Sequence, residues 1–156
     1  MKTKTKRDFL YEGFGFPVHV KNAPLIFVEG TWALNINQNT LRRLIVHQLV
    51  MLPSRFTGHQ VHFIRKTFGM TLKAFGDRFS VAHTAVIGWE KSETNPTKMN
   101  WATEKDIRLA IVVEFGDASS LADVYAKITT AVAEEPKHVF VEHDAAAFVR
   151  VDELCE

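Results

Sequence analysis

Cysteine is almost missing from this chain: of its 156 residues, only Cys155 carries a thiol. One thiol excludes an internal disulfide and any cysteine-rich zinc site, and it suggests a reducing compartment, the cytoplasm. Long apolar runs are missing too. No stretch approaches the ~18 residues that mark a membrane-spanning helix, so no membrane partner is expected. The basic start (Lys2, Lys4, Lys6, Arg7) has no apolar run behind it and does not read as a signal peptide. It reads as a solvated, frayed tail, with a DNA-contacting arm as the alternative. Low-complexity blocks and internal repeats are absent as well. Net charge is close to zero, +1 in sum, but its distribution is uneven. Residues 1–56 carry eight Lys/Arg against three Asp/Glu, and residues 57–101 carry six against three. Residues 102–156 reverse this, with five against twelve. The first two thirds therefore offer a side suited to a polyanion.

What is present is an ordinary globular composition, 46% hydrophobic and 24% charged, on a length that suits one domain or two small ones. Residues 57–91 are the informative stretch. Thr57 and Gln60 have the spacing of a capping box, and Val61, Ile64 and Phe68 then recur at helical spacing until Gly69. Thr71 caps a second helix whose inward residues are Leu72, Phe75 and Phe79. Ser80 and Val81 make a tight connection to a third helix from about Ala82, with Val86 and Trp89 on its buried side. Gly76 follows the core residue Phe75, where only a small side chain fits if the next helix packs against the backbone. Two short helices joined by a tight turn form a helix-turn-helix, whose second helix can enter the DNA major groove.

The run Thr71, Phe75, Gly76, Phe79, Val81, Val86, Trp89 and Glu90 resembles the Cro/repressor-like (XRE) helix-turn-helix family over roughly 45 residues. The resemblance implies a DNA-binding regulator. Its contacts would come from Thr71 and Lys73 on the second helix, and from Ala82, His83, Thr84, Ile87, Gly88 and Lys91 on the third. Three departures bear on specificity. Leu72 stands where the family has a phosphate-supporting Gln, Ser80 replaces the turn Gly, and Ala82 replaces the usual Ser cap. The outward face of the third helix has no Arg, Lys, Asn or Gln before Lys91, although those are the usual base readers. His83 and Thr84 retain hydrogen-bonding groups. Arg65, Lys66, Lys73, Arg78, Lys91 and Lys98 supply the positive charge in and after the motif.

The flanks suggest an α+β chain, mainly α, in three parts: a β-rich module over 1–53, the helix-turn-helix domain over 54–116, and an extension over 117–156. Residues 16–21 and 24–29 read as strands separated by Asn22 and Ala23, and residues 31–36 as a third. Gly13, Phe14 and Gly15 read as a turn. A helix over 40–52, capped by Asn37 or Asn39, ends at Pro53 and carries Leu41, Leu44, Ile45, Gln48 and Leu49 along one side. Asn100 caps a helix over 101–115 with Ile107, Ile111 and Phe115 inward. A further helix from Ser119 or Ser120 to about 133 carries the stripe Leu121, Val124, Tyr125, Ile128 and Val132. Residues 138–141 and 148–151 read as short strands. That stripe, with the 138–141 strand pairing across a two-fold axis, is the expected surface of a homodimer. The bland reading is that the stripe packs back on its own chain.

A β-rich module ahead of an XRE-like domain resembles the MqsA-type antitoxins and their YgiT-type zinc-finger relatives. That resemblance implies a toxin protein as partner of the front module. The group's zinc-binding cysteine pairs are absent here, so no metal and no cofactor is carried over. His59 and His62 stand three apart on one helix without the third ligand a catalytic zinc needs. Asp77 and Glu90 read as solvent-facing or helix-bridging charges. No nucleophile–base pair is suggested, so no enzyme is expected. The expected function is a sequence-specific DNA-binding transcriptional regulator, a repressor or the antitoxin of a toxin–antitoxin pair, acting on double-stranded DNA; the alternative is a protein-interaction adaptor on the same scaffold without strong DNA binding.

Overall fold

The first surprise lies at the basic start, which is a strand and not a frayed tail. The computed structural model describes residues 2–116, 118–128 and 136–142. Strand β1, Thr3–Tyr11, pairs antiparallel with β2, Val18–Val28, and β3, Thr31–Leu34, pairs antiparallel with the far half of β2. The turn between β1 and β2 holds Gly13, Phe14 and Gly15. Gly15 has φ +91°, and its N–H donates to the Glu12 carbonyl at 3.1 Å. Asn22 and Ala23, expected between two strands, lie inside β2. The ladder with β1 passes over Arg7 and Asn22, and Asn22 takes a φ of 49°. The kink shifts the buried alternation from Val18 and Val20 to Ala23 and Leu25.

Helix α1, Gln38–Met51, begins where the Asn37 side chain accepts from the N–H groups of Asn39 and Thr40. It ends at Leu52, which is extended (ψ 125°) as the residue before a proline tends to be. Its expected stripe is buried, and so are Val46 and Val50, because the helix is covered on more than one side. Helices α2 (Gly58–Thr67), α3 (Leu72–Arg78), α4 (His83–Glu90) and α5 (Trp101–Phe115) follow. A 3-10 turn at Ala118–Ser120 leads into α6, Leu121–Ile128. Among the described residues, no helix is long and apolar enough to cross a membrane. The architecture is the expected α+β, with a small N-terminal sheet ahead of the helices.

The chain then returns to its beginning. Strand β4, Val139–Glu142, lies parallel to the first half of β2, with Val139 opposite Val18 and Val141 opposite Val20. One edge of this strand is thus paired within the chain. The expected dimer stripe is largely used at home too. Ile128 is buried, Leu121 and Val124 pack against the core, and of the described members only Tyr125 is exposed. Val132 and the 148–151 strand lie outside the described residues. Among the described residues, the buried apolar side chains other than Ile128 form one cluster that runs from Phe16 to Val141.

A charged cluster holds α1 to α5. Arg108, fully buried, donates to the carbonyls of Val50 (3.0 Å), Leu52 (2.7 Å) and Ser54 (2.7 Å), and to Glu104 Oε2 (2.9 Å). Those carbonyls belong to the end of α1 and the exit behind it, where a helix leaves acceptors unpaired. Glu104 Oε1 accepts in turn from Arg55 Nε at 2.9 Å and from the Phe56 N–H at 3.1 Å. Burial pushes the Arg108 guanidinium below its ordinary value, and the Glu104 carboxylate opposes that shift.

Candidate nucleic-acid interface

The Thr71 hydroxyl accepts from the Ala74 N–H at 3.1 Å and starts α3, a helix of two turns. Phe75 and Phe79 anchor it in the core with rings 4.8 Å apart. The chain then reverses at Ser80, whose φ of 59° is the left-handed conformation that a turn Gly would have adopted more easily. The Val81 N–H donates back to the Gly76 carbonyl at 2.9 Å. A Cβ on Gly76 would stand 2.7 Å from the Val81 carbonyl oxygen and 3.3 Å from the His83 nitrogen. Close packing of α4 on the α3 backbone therefore requires this glycine. Ala82 starts α4 with no side-chain cap, and of the first N–H groups of α4 that of Ala85 donates to the Ala82 carbonyl at 3.0 Å. The positive end of the helix dipole lies there, an arrangement that favours an anion.

Helix α4 is held from behind. Glu90 at its end accepts from Arg65 Nε (2.9 Å) and Nη2 (3.0 Å) and from His62 Nδ1, both partners being on α2. Burial pushes the Glu90 carboxyl up. Hydrogen bonds and charge from Arg65 and His62 outweigh that and hold it below the ordinary carboxylate range. Arg65, grouped above with the positive residues of the motif, is buried and also donates to the Met70 carbonyl at 3.0 Å. It is thus a structural clamp rather than an exposed charge. A carboxyl whose folded value is depressed adds stability that is present above its unfolded value. That stability is lost as pH falls from the ordinary glutamate value through the folded one. Acid unfolding of wild type and Glu90→Gln followed by circular dichroism checks this. The stability gap between them is expected to be full near neutrality and to close in that acid window. A gap independent of pH would show that the clamp is not ionic.

The segment after α4 is tied to the start of α2. The His59 N–H donates to the Glu93 carbonyl (2.9 Å), the Gly58 N–H to Asn95 (3.3 Å), and the Thr97 N–H to Phe56 (3.0 Å). The capping box of Thr57 and Gln60 is present on the same turn. His59 Nδ1 donates to the Gly15 carbonyl at 2.7 Å, which brings the β1–β2 turn against α2.

Of the residues singled out from the sequence, Thr71, Lys73, Ala82, His83, Thr84, Gly88 and Lys91 are exposed and Ile87 is half-buried. They lie on two consecutive helices packed at Gly76. Thr71 spends its acceptor on the α3 cap. Lys73 Nζ is 2.8 Å from Asp77 Oδ2, one turn along the same exposed helix, and the contact raises the Lys73 pKa. A phosphate reaching Lys73 must compete with Asp77, a relation that the i, i+4 spacing already carried. Gly88 has nothing within 4 Å of where a Cβ would sit. Among the described residues, nothing outside its own turn occupies the space that this glycine leaves open in mid-helix. Trp89 is half-buried and packs against the core, on the inward side of α4. Among the described residues, no group of three or more His, Cys, Asp or Glu is arranged to hold a metal.

Compared with known proteins, the chain matches no family model, no curated protein and no solved structure.

Proposed function

We propose that this chain is a non-enzymatic, cytoplasmic DNA-binding regulator, a transcriptional repressor that places α4 in the major groove. The observation that carries the reading is the α3–turn–α4 unit. Its two short helices are locked at Gly76, and Ala82, His83, Thr84 and Gly88 of α4 are exposed. The resemblance to the XRE family supports the same reading. Strength comes from phosphate contacts at Lys91 and at the uncapped start of α4, with His83 and Thr84 reading base edges and Ile87 or Thr84 touching thymine methyls. Two copies on symmetric half-sites, one helical turn or a multiple apart, would double the few specific contacts that one α4 offers. A toxin partner for the N-terminal sheet rests on the antitoxin resemblance alone.

Gly88 separates DNA binding from the adaptor reading. An alanine there meets no atom of the described residues beyond its own turn, so Gly88→Ala is expected to stabilise the fold by up to about 1 kcal/mol through helix propensity. It should weaken duplex binding at the same time, because the added methyl stands between α4 and the groove. Lys91→Ala is expected to weaken all duplexes alike and to flatten the salt dependence by about one unit of slope. Lys73→Ala should do less, since Asp77 already offsets its charge. His83→Ala and Thr84→Ala should change preference among sequences. Fluorescence anisotropy with labelled duplexes across a salt series reads all of these. Unaltered binding in every variant would remove α4 from the interface and favour the adaptor.

A further inference from the structure

Beyond the kink at Asn22, the sheet carries lysines and aromatic rings on one face. Lys6 pairs with Ala23 and Lys4 with Leu25, both buried, and the Phe27 N–H donates to the Lys2 carbonyl at 3.0 Å. Phe27 pairs in turn with Trp32 on β3. The alternation of a strand therefore sets Lys2, Lys4, Lys6, Phe27 and Trp32 on the side of Ala23 and Leu25. Burial fades along this side towards the tip. Leu25 is buried, Trp32 half-buried and Phe27 38% exposed, and the three lysines are exposed. Lys4 Nζ stands 4.2 Å from the centroid of the Trp32 ring and Lys2 Nζ 6.0 Å from that of Phe27. The two rings meet edge to face, 5.2 Å apart. Asp8 is the one acidic residue within β1, β2 and β3, and it lies on the opposite face against His19 and Lys21.

We propose that this face binds single-stranded DNA, with a base stacked on Trp32 beside Phe27 and backbone phosphates on Lys2, Lys4 and Lys6. Alternate residues of a strand stand about 7 Å apart, so the three ammonium groups form a row that an extended nucleotide chain can follow. Positive charge along the backbone track and rings for the bases are the two parts of a single-strand platform. The Lys4 contact marks a face of Trp32 that is open to approach. An exposed cation–π contact is weak, and a base that takes this ring face leaves the ammonium free to meet the adjoining phosphate. The platform has no side-chain acceptor to which a ribose 2′-hydroxyl could donate, which favours DNA over RNA. An anionic lipid surface would also attract the lysines. The hairpin tip beside the rings carries the exposed Glu29, however, and insertion there would bury a carboxylate in the bilayer. The site does not depend on the reading of α4.

The test is fluorescence anisotropy of a labelled oligo-dT of about fifteen nucleotides with the full chain, across a salt series. Wild type is expected to bind, and more tightly as salt is lowered. Combining Lys2→Gln, Lys4→Gln and Lys6→Gln should flatten the salt dependence by about two units of slope, ~0.7 for each phosphate. Trp32→Leu keeps an apolar side chain and removes the stacking ring, and it should weaken binding about tenfold with the slope retained. Thermal melts show whether each variant is folded. The lysine variant changes exposed side chains alone and decides the matter if Trp32→Leu does not fold. Lys91→Ala should bind oligo-dT as wild type does while losing duplex affinity, so a failure at α4 and a failure here are told apart. No binding at low salt, a wild-type slope in the lysine variant, or unchanged affinity in a folded Trp32→Leu overturns the proposal. So does oligo-rU binding as tightly as oligo-dT, or binding to phosphatidylserine vesicles without binding to oligo-dT.

Discussion

Arg108→Leu is expected to lower the unfolding free energy by about 3–5 kcal/mol, the range for breaking a buried charged cluster by removing one partner. The guanidinium serves three carbonyls at and beyond the end of α1 together with the Glu104 carboxylate, all from a fully buried position. Leucine fills part of the volume and satisfies none of these acceptors. Glu104 would be left with Arg55 and the Phe56 N–H. Arg108→Lys should recover only part of the loss, because an ammonium group cannot reproduce the planar fork that spans several acceptors. Urea unfolding measures both variants. A cost below about 1 kcal/mol for Arg108→Leu would mean that those carbonyls have other partners.

Gly58→Ala is the second large effect expected. A Cβ at this position would stand 2.5 Å from the Glu93 nitrogen, 2.6 Å from the Trp89 carbonyl oxygen and 2.8 Å from that of Glu90. All three are backbone atoms, so no side-chain rotation relieves the clash. The end of α4 must move away from α2, and with it the contacts of Glu90 with Arg65 and His62. We expect a cost of about 3 kcal/mol, at the upper end of the range for overpacking. Thermal melts measure the cost, and duplex binding should weaken beyond it because α4 is displaced. Unchanged stability would show that the segment after α4 has room to shift.

The helices were legible because their signals are local. Thr57 with Gln60, Thr71, and Asn100 mark entrances, and the apolar spacing of Val61, Ile64, Phe75, Phe79, Val86, Ile107 and Ile111 marks the faces that are buried. Ser80 and Gly76 were readable for the same reason, as each answers to a neighbour a few residues away. β1 was not legible. The Lys–Thr alternation of its first half carries no apolar face, and there the strand rests on the ladder with β2, while Phe9 and Tyr11 at its end pack against the core. Asn22 read as a break because polar residues end most strands, whereas here its positive φ allows a kink within one. Glu104 and Arg108 were overlooked although the signal was present: they share a helical face with Ile107 and Ile111, so two charges stood at core positions. The return of β4 to β2 depends on residues more than a hundred apart, and no local pattern carries it.

The central claim, that the outward face of α4 meets DNA, is tested most directly by amide chemical shifts. A duplex from the chain's own upstream region is titrated into the isotope-labelled full chain, and the shifted amides are mapped along the sequence. The largest perturbations are expected from Ala82 to Lys91 and at Thr71, growing as salt is lowered. Shifts confined to the β1–β4 sheet, or none at low salt, would contradict it.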